Sequence, residues 1–533
     1  MNTLKNIESA FAIGAMLFAM HPVVAGEIAW KGGGSTSAWS DGTNWEGGSA
    51  PGNGDTAVVP NGKVAYMSSA DLVYVASEGL SLISLPGGDS TLYITNNTTS
   101  TLSVPVAGIG KFNVANNNRQ LTIGVDNPDF TGPFYFTNSQ IRTDYDHGLC
   151  FGRKNVITNY VGNGDASLYI FKGADYSNEW HIVGGSTAAT GANRSIKTYS
   201  NSVRLCCPVH VYGYYDFSPQ QNSTLTLAGG VYHSGAGNIR LNASVRIIGD
   251  AQCDFQTDAS DNTGLCIAYG STVELGSTVS ATTPRIGGVG MLRFLGPNLL
   301  SSATAYQNGY GSSKGMQIDL NGFDQRCGTI CKYNNDGTTE DNSFITSETA
   351  AKLTVYGQVE YNGYPAGKTS RFIALSLRGA ASLELNGTNE IKTAQGESVW
   401  PMMEIRNCPT KSDTTGGLCV RRGTLTLAET TSWPNLSRLE AHDEGLLVMN
   451  TDGVNTNGFV FVASNVVDAA VTIAAGKHLH AKSAYVDKWL EPGEYGGSAA
   501  GLDESHTLRQ LGGSGTLYVE EWGGPKGFIF VFR

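Results

Sequence analysis

Cleaving a polysaccharide takes acids and bases at set spacings, and the carboxylates of this chain are the first residues to test for such work. Hydrolysis of a glycosidic bond runs on two carboxyl groups flanking that bond. Asp452, in Asn450-Thr451-Asp452-Gly453, and Asp468, in Val466-Val467-Asp468, are single aspartates without a second carboxylate in evident reach, and Asn-Thr-Asp-Gly reads as an ordinary turn. Elimination chemistry instead needs acids that hold Ca²⁺ against a uronate and an Arg or Lys base beside them. Asp144, Asp146, Asp250, Asp254, Asp258 and Asp261 are scattered singly, with Arg142, Arg240 and Arg246 nearby in sequence. The densest group, Asp254 to Asp261, has the Ser, Asn, Thr and Gly neighbours of a solvated loop. No cofactor is expected; Ca²⁺ is the one ion these acids could serve if they were brought together. His478-x-His480 sets two imidazoles on one strand face, but no third metal ligand is evident. There is no Ser-His-Asp constellation, phosphate-binding Gly loop or dinucleotide fingerprint in a suitable strand-helix context. The sequence supplies no complete catalytic set.

The elements that would position any site are short strands. Thr91-Leu92-Tyr93-Ile94, Ser167-Leu168-Tyr169-Ile170, Thr224-Leu225-Thr226-Leu227, Thr272-Val273-Glu274-Leu275, Thr424-Leu425-Thr426-Leu427 and Thr516-Leu517-Tyr518-Val519 alternate apolar and polar residues and end at Gly, Asn, Asp or Ser. Several share a phrase, a small residue followed by Thr or Ser and then Leu-x-Leu or Leu-x-Val, which makes a degenerate internal repeat. Helical periodicity is nearly missing. The fold class is all-β, and two architectures absorb so many short strands: tandem sandwiches or one continuous solenoid. No Pro/Ser-rich linker divides the chain, and asparagine-rich turns such as Asn116-Asn117-Asn118 suit stacked corners, so a right-handed parallel β-helix is expected. The phrase is weakest between about residues 140 and 220, and residues 300 to 345 are irregular.

Composition removes other classes. Only 15% of the 533 residues are charged, and 68 are glycine, about twice the usual share of roughly 7%. With 40% hydrophobic residues the chain is not disordered. A net charge of −11 without Lys/Arg clusters argues against nucleic acid as a partner. Residues 1 to 25 read as a secretory signal peptide, with Lys5 in the basic region, an apolar run from Ala10 to Met20 and Val23-Val24-Ala25 at the cleavage site. No later segment has the length and apolarity of a transmembrane helix. Nine cysteines are too sparse for a disulfide scaffold; Cys327 with Cys331 and Cys408 with Cys419 are the nearest plausible pairs, while adjacent Cys206 and Cys207 should not bond to each other.

Both ends carry motifs. The first reads Trp30-Lys31-Gly32-Gly33-Gly34, then Trp39-Ser40-Asp41-Gly42-Thr43-Asn44-Trp45, then Ala50-Pro51-Gly52-Asn53-Gly54-Asp55-Thr56. It resembles the opening of exported bacterial β-helix proteins that carry autotransporter-associated β-strand repeats, the passenger-like, pectin-lyase-like solenoids. The far end is similar to the closing segment of the same group, through Val471-Thr472-Ile473-Ala474-Ala475-Gly476-Lys477-His478-Leu479, Leu490-Glu491-Pro492-Gly493-Glu494-Tyr495-Gly496 and Leu511-Gly512-Gly513-Ser514-Gly515-Thr516-Leu517. The resemblance covers about a fifth of the chain and implies architecture and export more than chemistry. It departs from the family in lacking a C-terminal block of some ten amphipathic strands for a translocator barrel. Asn450-Thr451-Asp452-Gly453 also resembles the first catalytic motif of polygalacturonase-type glycoside hydrolases, but their adjacent aspartates, Gly-His-Gly and Arg-x-Lys do not follow it.

An open solenoid needs caps, because each end exposes core and unpaired strand edges. Trp30, Trp39 and Trp45 would cover the first coil, with Asp41 and Asn44 fixing the loop by side-chain turns and Asp55 closing the Pro-Gly-x-Gly-Asp turn. The rival use of the same residues is a glycan-contact platform with exposed Trp faces. The expected layout is a signal peptide over 1–25, a Trp-rich cap over 26–64, a solenoid over 65–460 and a β cap segment over 461–533. The expected protein is exported to the surface or surroundings of a bacterium and serves there as a non-enzymatic structural, adhesive or glycan-contacting module. Its partner would be a cell-surface or extracellular glycan or protein. The alternative is a β-helix polysaccharide lyase or glycoside hydrolase acting on an acidic glycan, which would show at least two carboxylates and one Arg or Lys within about 6 Å on one face.

Overall fold

The computed structural model describes residues 25–524 apart from short internal stretches, the longest being 144–155, 184–194, 254–264, 333–343 and 362–371. Residues 1–24 of the expected signal peptide, Asp144, Asp146, Asp250 and the aspartates from 254 to 261 lie outside the described residues, as do Asn116, Asn117 and Asp468. What remains is a parallel β-solenoid of about 11 turns, as the strand phrases predicted. Three long sheets of 10, 12 and 21 strands run along it.

Period-2 alternation explains the stacking. In Thr224–Leu227 and its successors every second side chain points inward, and parallel pairing sets like upon like. Leu225, Val245, Val273, Leu292, Ile318, Ile345 and Leu377 are partners on successive coils, all buried. A second column runs through Leu121, Ile141, Leu168, Ile196, Phe217 and Leu241. It passes without a break through the region where the phrase is weakest. Each such residue contributes about 1.5–3 kcal/mol by leaving water. From Leu225 to Val245 is 20 positions and from Val245 to Val273 is 28, so the loops, not the strands, absorb the difference in coil length.

Corners use asparagine as the turn chemistry suggests. Asn118, Asn138, Asn222, Asn298 and Asn321 all adopt positive φ. Coils are also tied corner to corner, as where the Asn321 side-chain amide donates to the Phe294 carbonyl at 2.9 Å and that of Asn242 to the Ser218 hydroxyl at 2.8 Å.

From residue 344 onward the strands lengthen, to 12 residues in Phe344–Val355, 11 in Ser376–Asn386, 11 in Gly417–Leu427 and 12 in Arg438–Met449. Each bends part-way along, where its register with a neighbour slips. Glycine makes two of these bends. Gly379 has φ +60° beside the Ser347 carbonyl, and Gly423 has φ +111° with the Pro401 carbonyl where a Cβ would stand. Gly423→Ala is therefore expected to destabilise the chain by about 1–2 kcal/mol, read as a lower denaturant midpoint; an unchanged midpoint would mean the bend tolerates a side chain.

Helix content is small, as expected, but the helix Ser69–Ser77 was not anticipated. Ser68 and Asp71 form a reciprocal capping box at its start, and Leu72 and Val75 are its buried residues besides Asp71. At the other end Gly493–Gly496 pairs antiparallel to Thr516–Val519. No helix among the described residues is long and apolar enough to cross a membrane.

Candidate functional site

The N-terminal motif residues converge on one point. Trp39 and Trp45 are 0% exposed and Trp30 4%. Their rings meet at centroid distances of 5.9, 4.9 and 5.1 Å, one pair stacked and two edge-on. Each indole N–H is satisfied by a carbonyl: Trp30 donates to Val64, Trp39 to Tyr66 and Trp45 to Trp39. Asn44 is buried beneath them, accepting from the Gly34 N–H and donating to the Thr36 and Ala38 carbonyls. Asp41 stands at the surface, where hydrogen bonds from Thr43 and then Thr36 hold its carboxyl well below the ordinary range. Asp55 accepts from the Gly52 and Gly26 N–H groups, both at 2.9 Å. The Trp faces are spent on one another, so none is presented to a sugar.

Other sequence candidates fall to local roles. Asp452 accepts from the Lys477 ammonium and the His478 N–H, which ties one turn to the next coil. His478 engages Thr516, and His478 with His480 gains no third ligand among the described residues. Cys419 is a free, buried thiol, so the expected pairing with Cys408 is corrected; Cys408 itself lies outside the described residues. Cys419 faces Glu384 on one neighbouring strand and Glu440 on the other, in the middle of a sheet.

That row of residues opens onto a feature which sequence reading missed. On the outward side of the long C-terminal strands, Thr354, Glu384, Cys419, Glu440, Phe461 and Tyr485 stand on successive strands. Its first half is ionic. Glu384 takes Lys352 at 2.8 Å and Arg421 at 3.2 Å, while Glu440 takes Arg438 and, at 2.9 Å, His442. Its second half is aromatic: Phe461 stacks on Tyr485 at 5.4 Å, Trp489 meets Tyr485 edge-on at 5.5 Å, and Phe459 lies 5.3 Å from Trp489. Where the halves meet is a groove of about 430 Å³ lined by Arg438, Glu440 and His442 on one side and Phe459, Phe461, Tyr485 and Trp489 on the other. Phe459-Val460-Phe461-Val462 carries the signal in its alternation, since Val460 and Val462 face the core and the phenylalanines must then face out.

The electrostatics limit what this row can do. Burial opposes ionisation of Glu384, but the Lys352 and Arg421 contacts outweigh it and hold the carboxyl below its ordinary range. Glu440 is likewise opposed by burial and held low by His442 and Arg438. The two carboxylates stand two strands apart, about 9–10 Å between backbones. Burial, with the charges of Glu384 and Glu440, pushes the Cys419 thiol far up, so it is no thiolate nucleophile. A carboxyl whose folded pKa is depressed adds stability above its unfolded value, near 4.3, and loses it as pH falls through the folded value. The urea midpoint is thus expected to drop on acidification below about pH 4, and to drop less in Glu384→Gln; equal acid sensitivity in the variant would remove Glu384 from the cause.

No family model, curated protein or solved structure matches this chain. The fold class and the geometry of the groove therefore carry the functional argument.

Proposed function

We propose that this protein is an exported, non-enzymatic β-solenoid that contacts a cell-surface or extracellular glycan through the C-terminal groove, serving as an adhesive or structural module. The observation that carries the reading is the junction of an aromatic wall, Phe459, Phe461, Tyr485 and Trp489, with a polar wall, Arg438, Glu440 and His442. Sugars have apolar C–H faces that lie against rings and hydroxyls that pair with guanidinium, carboxylate and imidazole. The groove is within the size range of small-ligand sites. Outward rings also stack elsewhere on the solenoid, Phe171 on Tyr199 and His210 on Tyr232, so the reading rests on the junction of rings with charged groups around a groove and not on exposed rings as such. Export to a bacterial surface rests on the signal-like first 25 residues and on the end motifs.

Two carboxylate sets bear on the alternative, a lyase or hydrolase. Glu274 and Asp319, joined through Arg293 with Arg246 beside Glu274, have the spacing that alternative would show, and they make the polysaccharide test decisive. The row that opens onto the groove holds the other pair, Glu384 and Glu440. Both are held ionised, whereas two-carboxylate hydrolysis requires one of them to arrive protonated. The test is a panel of acidic and neutral polysaccharides, with and without Ca²⁺, scored for binding, reducing-end release and unsaturated products. Saturable binding without turnover is expected. Turnover of any glycan would replace the proposal with the enzymatic alternative, and absence of both binding and turnover would reduce the protein to a scaffold.

A further inference from the structure

Far from the groove, the 10-stranded sheet brings together three ligand-type side chains that are not neighbours in sequence. Glu179 and His181 alternate on the strand Glu179–Val183 and so share a face. The next coil places His210 directly opposite His181 in the parallel register. The two imidazoles stack at 4.8 Å with planes 19° apart, and Tyr232 of the following coil stacks on His210 at 5.1 Å. The Nε2 atoms of both histidines converge on one carboxylate oxygen, Glu179 Oε1, at 2.8 Å from His181 and 3.6 Å from His210. All three donor atoms lie within 4.8 Å of one another, and all three residues are half-buried.

We propose that Glu179, His181 and His210 form a divalent-metal site of the zinc type. Two ligands bonded to Zn²⁺ at about 2.1 Å, at a tetrahedral angle, stand about 3.4 Å apart. The two contacts to Glu179 Oε1 already bracket that distance. Binding therefore asks for rotamer adjustments, not for movement of the coils. Two imidazoles and one carboxylate make a donor set suited to zinc, and the fourth position faces solvent, where water completes the tetrahedron. The metal would also staple two adjacent coils across a stretch whose strands are short. A second group, Cys419, Glu440 and His442, has comparable spacing, but Arg438 on Glu440 and Arg421 beside it oppose a cation there.

The experiment uses the full mature chain, purified with chelator, then dialysed against Zn²⁺ and assayed for retained metal. A Cys419→Ser background keeps the second group out of the count. One equivalent of zinc is expected in that background, falling to none in His181→Gln/His210→Gln and weakening at least tenfold in Glu179→Gln. Co²⁺ substitution should give the intense visible bands of a four-coordinate nitrogen and oxygen site. Unchanged zinc in the double glutamine variant or no retained zinc in the background would each overturn the assignment; a thiolate charge-transfer band confined to chains with Cys419, with the background empty, would move the site to the second group. Far-ultraviolet circular dichroism and thermal unfolding of every variant without metal show that the coils are intact, so that a loss of zinc reports the ligands.

Discussion

Trp39→Ala is expected to cost about 3–5 kcal/mol of local stability, the largest effect of any single substitution considered, and to free the first coils without unfolding the last. Trp39 is fully buried between Trp30 and Trp45, and its indole N–H is used by the Tyr66 carbonyl. Alanine leaves a cavity the size of an indole and an unpaired carbonyl. It leaves in place the backbone bond from Trp39 N–H to Asp71 at 2.7 Å, which joins the Trp cluster to the helix Ser69–Ser77. In a solenoid each coil contacts mainly its neighbours, so the loss stays near the end where it is made. Amide exchange should rise across the strands Glu27–Ala29, Thr56–Val58 and Leu82–Leu85, while Arg438–Met449 keeps its protection. Equal protection in wild type and variant would show that the Trp cluster does not close the solenoid. Asp41 offers the contrast: it is half-buried at the surface and its side chain bonds only its own loop, so Asp41→Asn should leave the same strands protected.

The difference between what the sequence foretells and what it hides follows from distance along the chain. Thr224-Leu225-Thr226-Leu227 declares its inward face within four residues, and Trp39 with Trp45 announces a tight apolar cluster within seven. Local pattern also held the clue to the missed helix. Ser68 and Asp71 form the Ser-x-x-Asp signature of a helix start, but nine residues between two strands give too little periodicity to outweigh the surrounding alternation. The groove and the Glu179 cluster lie beyond that horizon. Glu384 meets Cys419 across 35 positions, Cys419 meets Glu440 across 21, and His181 meets His210 across 29. Loop lengths set these registers, and since the loops vary from coil to coil no fixed period reveals them. The pairing expected of Cys408 and Cys419 failed for the same reason: closeness in sequence said nothing about the sheet interior in which Cys419 sits.

Cutting back the aromatic wall should weaken glycan binding strongly while leaving the solenoid intact. Phe461 and Trp489 are half-buried on the outer face, and the core beneath them is carried by Val460, Val462 and Ala484. Phe461→Ala/Trp489→Ala therefore removes ring surface from the groove with little cost to the coil. If each ring contributes about 0.5–1.5 kcal/mol to sugar contact, losing both weakens binding by about 5–150-fold. Arg438→Ala probes the other wall. Arg438 is the most exposed charge lining the groove, and its removal should weaken acidic glycans more than neutral ones. Affinity measured by calorimetry for the glycan bound by wild type, with thermal unfolding as the check on folding, separates the possibilities. Wild-type affinity in the double aromatic variant would place the glycan elsewhere on the solenoid. Loss in that variant together with selective loss in Arg438→Ala would fix both walls of the groove as the contact, with the rings supplying affinity and the guanidinium choosing among sugars by charge.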